Sequence, residues 1–169
     1  MGNGYSEVMS RKKEILLKAT GIDYDEFEIS PIAFDYEGLM NSSGYSLEEV
    51  QQILQETGVG QTQLTELKNL TDLVRSISPS GKGGRIFVKD EAANPSGSFK
   101  DRRAALSIYH AKKLGYKGVV AASSGNYGAA VASQAAKRGL KAIILQETYD
   151  SRKVGQPEIL EKTRACEAY

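Results

Sequence analysis

The sequence predicts an α/β protein built on parallel strands joined by helical crossovers, and three observations predict it. Two short apolar runs, Gly118 to Ala122 and Lys141 to Leu145, are separated by an alanine-rich stretch long enough for one helix. A strand, a helix and a strand at this spacing form a βαβ unit, whose right-handed crossover sets the strands side by side and parallel. The alternation also appears upstream, where a strand-like run at 85–90 is followed by a helical pattern from Asp101 to Leu114. Finally, 169 residues with 40% hydrophobic and 25% charged content are enough for one core. That composition lies outside the disordered, collagen-like and membrane-spanning classes.

From the N-terminus, Glu7 to Ala19 reads as a helix with Val8, Ile15 and Leu16 on one face and Gly21 as its stop. Residues 22–45 mix aromatic and acidic side chains with Pro31 and several turn formers, and read as irregular surface. Ser46 and Glu49 have capping-box spacing and open a helix to about Thr57, closed by Gly58. Gln63 to Leu67 is a short strand, and Arg85 to Asp90 is a stronger one behind the breaker run Pro79 to Gly84. The helix from Asp101 to Leu114 carries Ala105, Ile108 and Tyr109 at core spacing. Residues 118–122 and 141–145 read as buried strands around a helix from Asn126 to Arg138 that ends at Gly139, and Gln156 to Tyr169 as one more helix. There is no internal repeat.

The net charge of +1 makes no case for nucleic acid or an anionic membrane as partner. Its distribution is uneven: residues 1–50 hold ten acidic and four basic residues, whereas 81–117 hold nine basic and three acidic. Two solvated faces account for this, and so does a basic segment facing an anionic ligand. No basic start leads into a long apolar core, so no secretory signal is expected. The one cysteine, Cys166, allows neither an internal disulfide nor a cysteine-rich metal site, which fits a cytoplasmic protein. The one histidine, His110, reads as structural, and no metal site is expected.

Two glycine-bearing loops follow predicted strands, where open α/β sheets place their ligands. One runs Asn94-Pro95-Ser96-Gly97-Ser98-Phe99-Lys100-Asp101-Arg102, the other Ser123-Ser124-Gly125-Asn126-Tyr127-Gly128. Neither matches a P-loop or a dinucleotide fingerprint, and either alone reads as an ordinary capped turn. Lys100, however, stands where a helix begins. The positive end of the dipole disfavours an ammonium there, and Schiff-base chemistry requires the neutral amine. Ser123, Ser124 and Asn126 stand at another helix N-terminus, whose free N–H groups suit a carboxylate or phenolic oxygen. Tyr127 either lines such a pocket or packs beneath the loop.

The pair of motifs resembles the fold-type II pyridoxal-phosphate enzymes related to threonine synthase and the tryptophan synthase β chain. The resemblance covers residues 58–169. It implies that Lys100 carries the cofactor covalently and acts as catalytic base, that Asn126 hydrogen-bonds the cofactor's 3-oxygen, and that Ser123, Ser124 and Gly125 grip the substrate carboxylate. It also implies a domain organisation of 1–57 as an N-terminal extension and 58–169 as the first part of the catalytic α/β domain. Where that family often has Gly-x-Thr-Pro-Leu, this chain has Gly60-Gln61-Thr62-Gln63-Leu64. The family's glycine-rich phosphate loop and its Ser or Thr at the pyridine nitrogen do not occur by Tyr169. The expectation is an N-terminal fragment that binds the cofactor weakly or not at all by itself.

Three further stretches, Gly21 to Tyr24, Ile29 to Glu37 and Val154 to Glu158, resemble the β-subunit family of 2-amino-4-oxopentanoate thiolases. That resemblance implies an acyltransferase of anaerobic ornithine breakdown that uses coenzyme A as co-substrate and yields acetyl-CoA and alanine. A small α subunit and homo-oligomerisation come with it. Threonine synthase-like elimination and replacement is the competing activity, and a non-catalytic module that keeps the scaffold is the competing class.

Overall fold

The computed structural model describes residues 4–169, and the chain divides into two compact units, one up to Leu47 and one from Glu48 to Tyr169. Helix α4 (Leu47–Gln55), grouped above with the N-terminal extension, lies almost wholly in the second unit. The physical reason is a clasp from far along the chain. Arg138 donates to the Ile53 carbonyl at 3.0 Å and pairs with Glu56 at 3.1 Å, while Lys137 donates to the Thr57 carbonyl. Two cations thus meet carbonyls at the negative end of a helix. The helix starts directly after Ser46, as the capping-box spacing predicts, and Gly58 turns the chain at φ +73°.

The first unit departs from the sequence reading in two ways. The single helix expected over 7–19 is two, α1 (Gly4–Ser10) and α2 (Lys12–Thr20), broken at Arg11, whose ψ of 9° leaves the helical region. Gly21 ends α2 in the left-handed conformation, as predicted. Residues 22–45 are not irregular. A 3-10 turn (Tyr24–Phe27) leads into a hairpin of β1 (Glu28–Ser30) and β2 (Ala33–Phe34), then α3 (Tyr36–Ser42), capped by Asp35 accepting from the Gly38 N–H at 2.8 Å. The aromatic residues scattered through this stretch form a cluster, with the Phe34 ring tilted against those of Tyr24, Phe27 and Tyr36.

In the second unit, β3 (Leu64–Glu66) pairs antiparallel with β4 (Phe87–Lys89), across the helix α5 (Lys68–Ile77). The predicted strand at 85–90 is therefore shorter and belongs to a separate two-stranded ladder. Helix α5 is additional to the predicted elements, although Leu70, Leu73, Val74 and Ile77 carry the helical period. The βαβ prediction holds residue for residue: β5 (Gly118–Ala122) and β6 (Lys141–Leu145) are parallel and in register, joined by α7 (Asn126–Arg138). Helices α6 (Lys100–Lys113) and α8 (Pro157–Ala168) flank this unit in sequence.

The core forms where α6 meets α7. Ala104 and Ile108 pack against Ala130, Val131, Ala135 and Leu140, with Val119, Ala121 and Ile144 of the sheet below them. Alanines on the facing surfaces let the two helix backbones approach closely. The strands are not buried on both faces as expected: Val120, Ile143 and Leu145 are each more than half exposed. With period two, these residues point away from the face that α7 covers. Among the described residues, no helix is long and apolar enough to cross a membrane.

Candidate functional site

The first loop begins with a turn in which the Gly97 N–H donates to the Asn94 carbonyl at 2.8 Å. Pro95 presets its second position, and Gly97 follows at φ +80°. Asn94 is buried and anchors the turn from inside. Its Oδ1 accepts the Gly60 N–H at 2.9 Å, and its Nδ2 donates to both the backbone and the carboxylate of Glu91 at 2.9 Å. Glu91 in turn makes a bidentate pair with Arg102, two bonds of 2.8 Å, and accepts from Thr62 at 3.1 Å. The Arg102 guanidinium, more than any other neighbour, holds the Glu91 carboxyl down at about 2. Gly60 stands at φ +84° against that guanidinium, where a Cβ would lie 3.0 Å from Nη1.

The next residues lead into α6. The Lys100 N–H donates to Ser98 Oγ at 3.3 Å, and Lys100 is the first residue of the helix, as the sequence reading requires. Its side chain is half-buried, with Nζ 4.6 Å from the Phe99 ring centroid. It makes no ion pair among the described residues. Asp101 is fully buried and accepts from the Ser96 N–H at 2.7 Å, from Ser96 Oγ at 2.6 Å and from Gln134 Nε2 at 3.1 Å.

The second loop closes the C-terminal ends of β5 and β6. Ser123 extends the ladder by donating its N–H to the Leu145 carbonyl at 2.9 Å. Its hydroxyl accepts from the N–H groups of Gly125 and Gly128 at 3.3 and 3.1 Å. Ser124 Oγ accepts from the Glu147 N–H at 2.9 Å. Both hydroxyls therefore have partners inside the protein. The backbone N–H groups of Ser124, Asn126 and Tyr127 have none among the described residues, and they open on the positive end of α7. Asn126 is exposed. Tyr127 is half-buried against the core with the Arg103 guanidinium 4.8 Å from its ring centroid. Ser123 and Ser124 line a cleft of about 360 Å³ with Ala122, Leu145, Gln146 and Glu147.

The fold brings the two motifs together by placing them at the starts of neighbouring helices, tied by the Asp101–Gln134 hydrogen bond and by Arg103 over Tyr127. No hydrogen bond joins Lys100 to Asn126. The sequence reading missed Asp101, Gln134 and the Glu91–Arg102–Asn94 network. A signal for Asp101 was present: it shares a helix face with Ala104, Ala105 and Ile108, so the core periodicity runs through an acid. Nothing local marks Asn94, whose partners lie up to 34 residues away.

An amine free of ion pairs, an exposed neutral amide and a set of open backbone donors suit an aldehyde, a phenolic oxygen and a carboxylate. A family profile described as "Pyridoxal-phosphate dependent enzyme" matches residues 55–169. The chain is 68% identical over 165 residues, 98% of its length, to a 2-amino-4-ketopentanoate thiolase beta subunit from an unknown prokaryote. It is 65% identical over 164 residues, 97% of its length, to the protein of the same description from Acetoanaerobium sticklandii. It spans 35% of the length of each. Threonine synthase of Synechocystis sp. is 48% identical over 65 residues, 38% of this chain and 17% of that one.

Proposed function

Because the chain belongs to the family of pyridoxal-phosphate dependent enzymes, we propose that it serves in the β subunit of a 2-amino-4-oxopentanoate thiolase, dividing that substrate with coenzyme A into acetyl-CoA and alanine. The observation that carries this reading is the reach of the similarity. Identity of 65–68% runs over 97–98% of the chain, whereas the threonine synthase likeness covers 38%. A small α subunit completes the proposed enzyme, and copies of the β subunit associate. The free Cys166 fits a reducing cytoplasm.

When bound, pyridoxal phosphate draws electrons from the bonds at the α-carbon of an amino-acid substrate. In this reading Lys100 holds it through the ε-amine. The same Lys100 amine would serve as the base that takes up and returns the α-proton of the substrate. Asn126 donates from its side-chain amide to the cofactor's 3-oxygen. The open N–H groups of Ser124, Asn126 and Tyr127 hold the substrate carboxylate with the help of the α7 dipole. Ser123 contributes through its internal bonds to Gly125 and Gly128, which shape that concavity, and Gly125 adds no side chain to fill it.

The test is acetyl-CoA formation from 2-amino-4-oxopentanoate and coenzyme A by the complete protein with its α partner. Lys100→Ala is expected to lower turnover about a thousandfold or more. Full turnover in that variant, or release of threonine from phosphohomoserine in place of acetyl-CoA, would refute the reading.

A further inference from the structure

Asp101 follows Lys100 directly, is fully buried, and has no lysine or arginine paired with it among the described residues. An acid in the first turn of a helix interacts favourably with the dipole from an exposed position, so the dipole does not explain the burial. Gln134 is equally buried, in the middle of α7 among Ala130, Val131 and Ala135, and its own Oε1 has no partner. Apolar side chains of similar size in place of both residues would pack there at lower cost.

What the pair supplies is geometry. Asp101 Oδ2 draws the chain back onto Ser96 through two short bonds, and Oδ1 reaches Gln134, 33 residues away. Ser98 Oγ holds the Lys100 N–H from the other side. The Lys100 backbone is thereby fixed on both flanks. Gln134 stands eight residues after Asn126 on α7, about 12 Å along its axis. One buried carboxylate thus ties the helix that begins with Lys100 to the helix that begins with Asn126.

We propose that Asp101 is a positioning residue which, through Ser96 and Gln134, sets the Lys100 amine relative to Asn126 so that it meets the aldehyde carbon of pyridoxal phosphate. This rests on the reading of Lys100 given above. In the step it serves, the amine nitrogen adds to the aldehyde carbon, a C=N bond forms, and the aldehyde oxygen leaves as water with both amine protons. Misplacing a reacting atom by 1 Å costs on the order of a hundredfold.

The experiment uses the complete protein stripped of cofactor and mixed with pyridoxal phosphate. Covalent capture is timed by borohydride quenching and mass spectrometry of the Lys100 peptide. Affinity for pyridoxamine phosphate, which has no aldehyde, measures the non-covalent site. Asp101→Asn keeps the shape but removes the charge that strengthens the bonds from Ser96 and Gln134, and is expected to slow capture about ten- to a hundredfold, with pyridoxamine phosphate affinity within about threefold. Gln134→Met removes only the tie to α7 and fills its space without polar atoms. Because the buried Asp101 Oδ1 then lacks its donor, the variant is expected to lower the thermal midpoint modestly and to slow capture about threefold or more. If Asp101→Asn does not fold, the Gln134 variant decides. Wild-type capture in Gln134→Met would overturn the proposal, as would a loss in Asp101→Asn matched by an equal loss of pyridoxamine phosphate affinity. A label absent from Lys100 in the wild type would instead overturn the reading of Lys100 itself.

Discussion

Replacing Gly128 with alanine tests whether the loop before α7 and the sheet beneath it are packed as described. Gly128 is buried in the first turn of α7, and a Cβ there would lie 2.8 Å from the Ser123 carbonyl oxygen and 2.9 Å from Ile144 Cγ2. Neither neighbour yields easily. The Ser123 backbone is tied to Leu145, and its hydroxyl receives the Gly128 N–H itself. Ile144 is β-branched and sits in a strand, with restricted side-chain rotation. Alanine gains at most about 1 kcal/mol in helix propensity, against about 1–3 kcal/mol for overpacking. With two contacts under 3.0 Å, one of them to backbone, the cost lies in the upper part of that range at about 2–3 kcal/mol, so the expected net effect is a loss of ~1–2 kcal/mol, or about 5 °C in thermal midpoint for a unit of this size. The control is Gly125→Ala. That site has φ −122° and no neighbouring atom within 4 Å of a new Cβ, so its stability should stay within about 0.5 kcal/mol. Urea unfolding should show a lower midpoint at unchanged slope for Gly128→Ala alone. A Gly128→Ala protein as stable as the wild type would refute this packing.

Two further outcomes concern the network behind the lysine loop. Glu91 has its carboxyl held at about 2 against an ordinary value of 4.5, so its stabilising charge is fully present above about pH 5 and is lost as pH falls towards 2. The pair is partly exposed, with side-chain exposures of 36% for Arg102 and 25% for Glu91, so its worth is about 1 kcal/mol. Glu91→Gln should therefore be less stable than the wild type by that amount at pH 7 and nearly equal at pH 2, in urea titrations at the two pH values. A difference independent of pH would contradict the assignment. Asn94→Ala removes a buried amide and leaves the half-buried Gly60 N–H and part of Glu91 without their partner. It should cost about 2 kcal/mol by thermal unfolding, whereas a loss below about 0.5 kcal/mol would place Asn94 outside the anchor.

Local chemistry was enough for the elements whose signals are self-contained. The β5–α7–β6 unit was legible because its strands are short apolar runs and its helix is alanine-rich with a glycine stop, each an intrinsic preference that tertiary packing reinforces. Lys100 and Asn126 at the starts of two helices were legible for the same reason, since helix onsets are marked by nearby residues. The break at Arg11 carries no glycine or proline, and the short hairpin at 28–34 is too brief for a period to register.

Tertiary structure alone decided which partners the polar residues found. The sequence places Ser123 and Ser124 at a helix start, yet only the folded loop engages their hydroxyls internally and leaves backbone N–H groups open. It places Asp101 beside Lys100, yet only the docking of α6 on α7 brings Gln134 to it. It marks two apolar strands, yet only the layering shows that Val120, Ile143 and Leu145 face outward. The physical reason is one of range. Propensity, capping and periodicity act over a few residues, and sequence displays them directly. Hydrogen bonds that span 33 or 34 residues, and the choice of which strand face is covered, exist only after distant elements have packed.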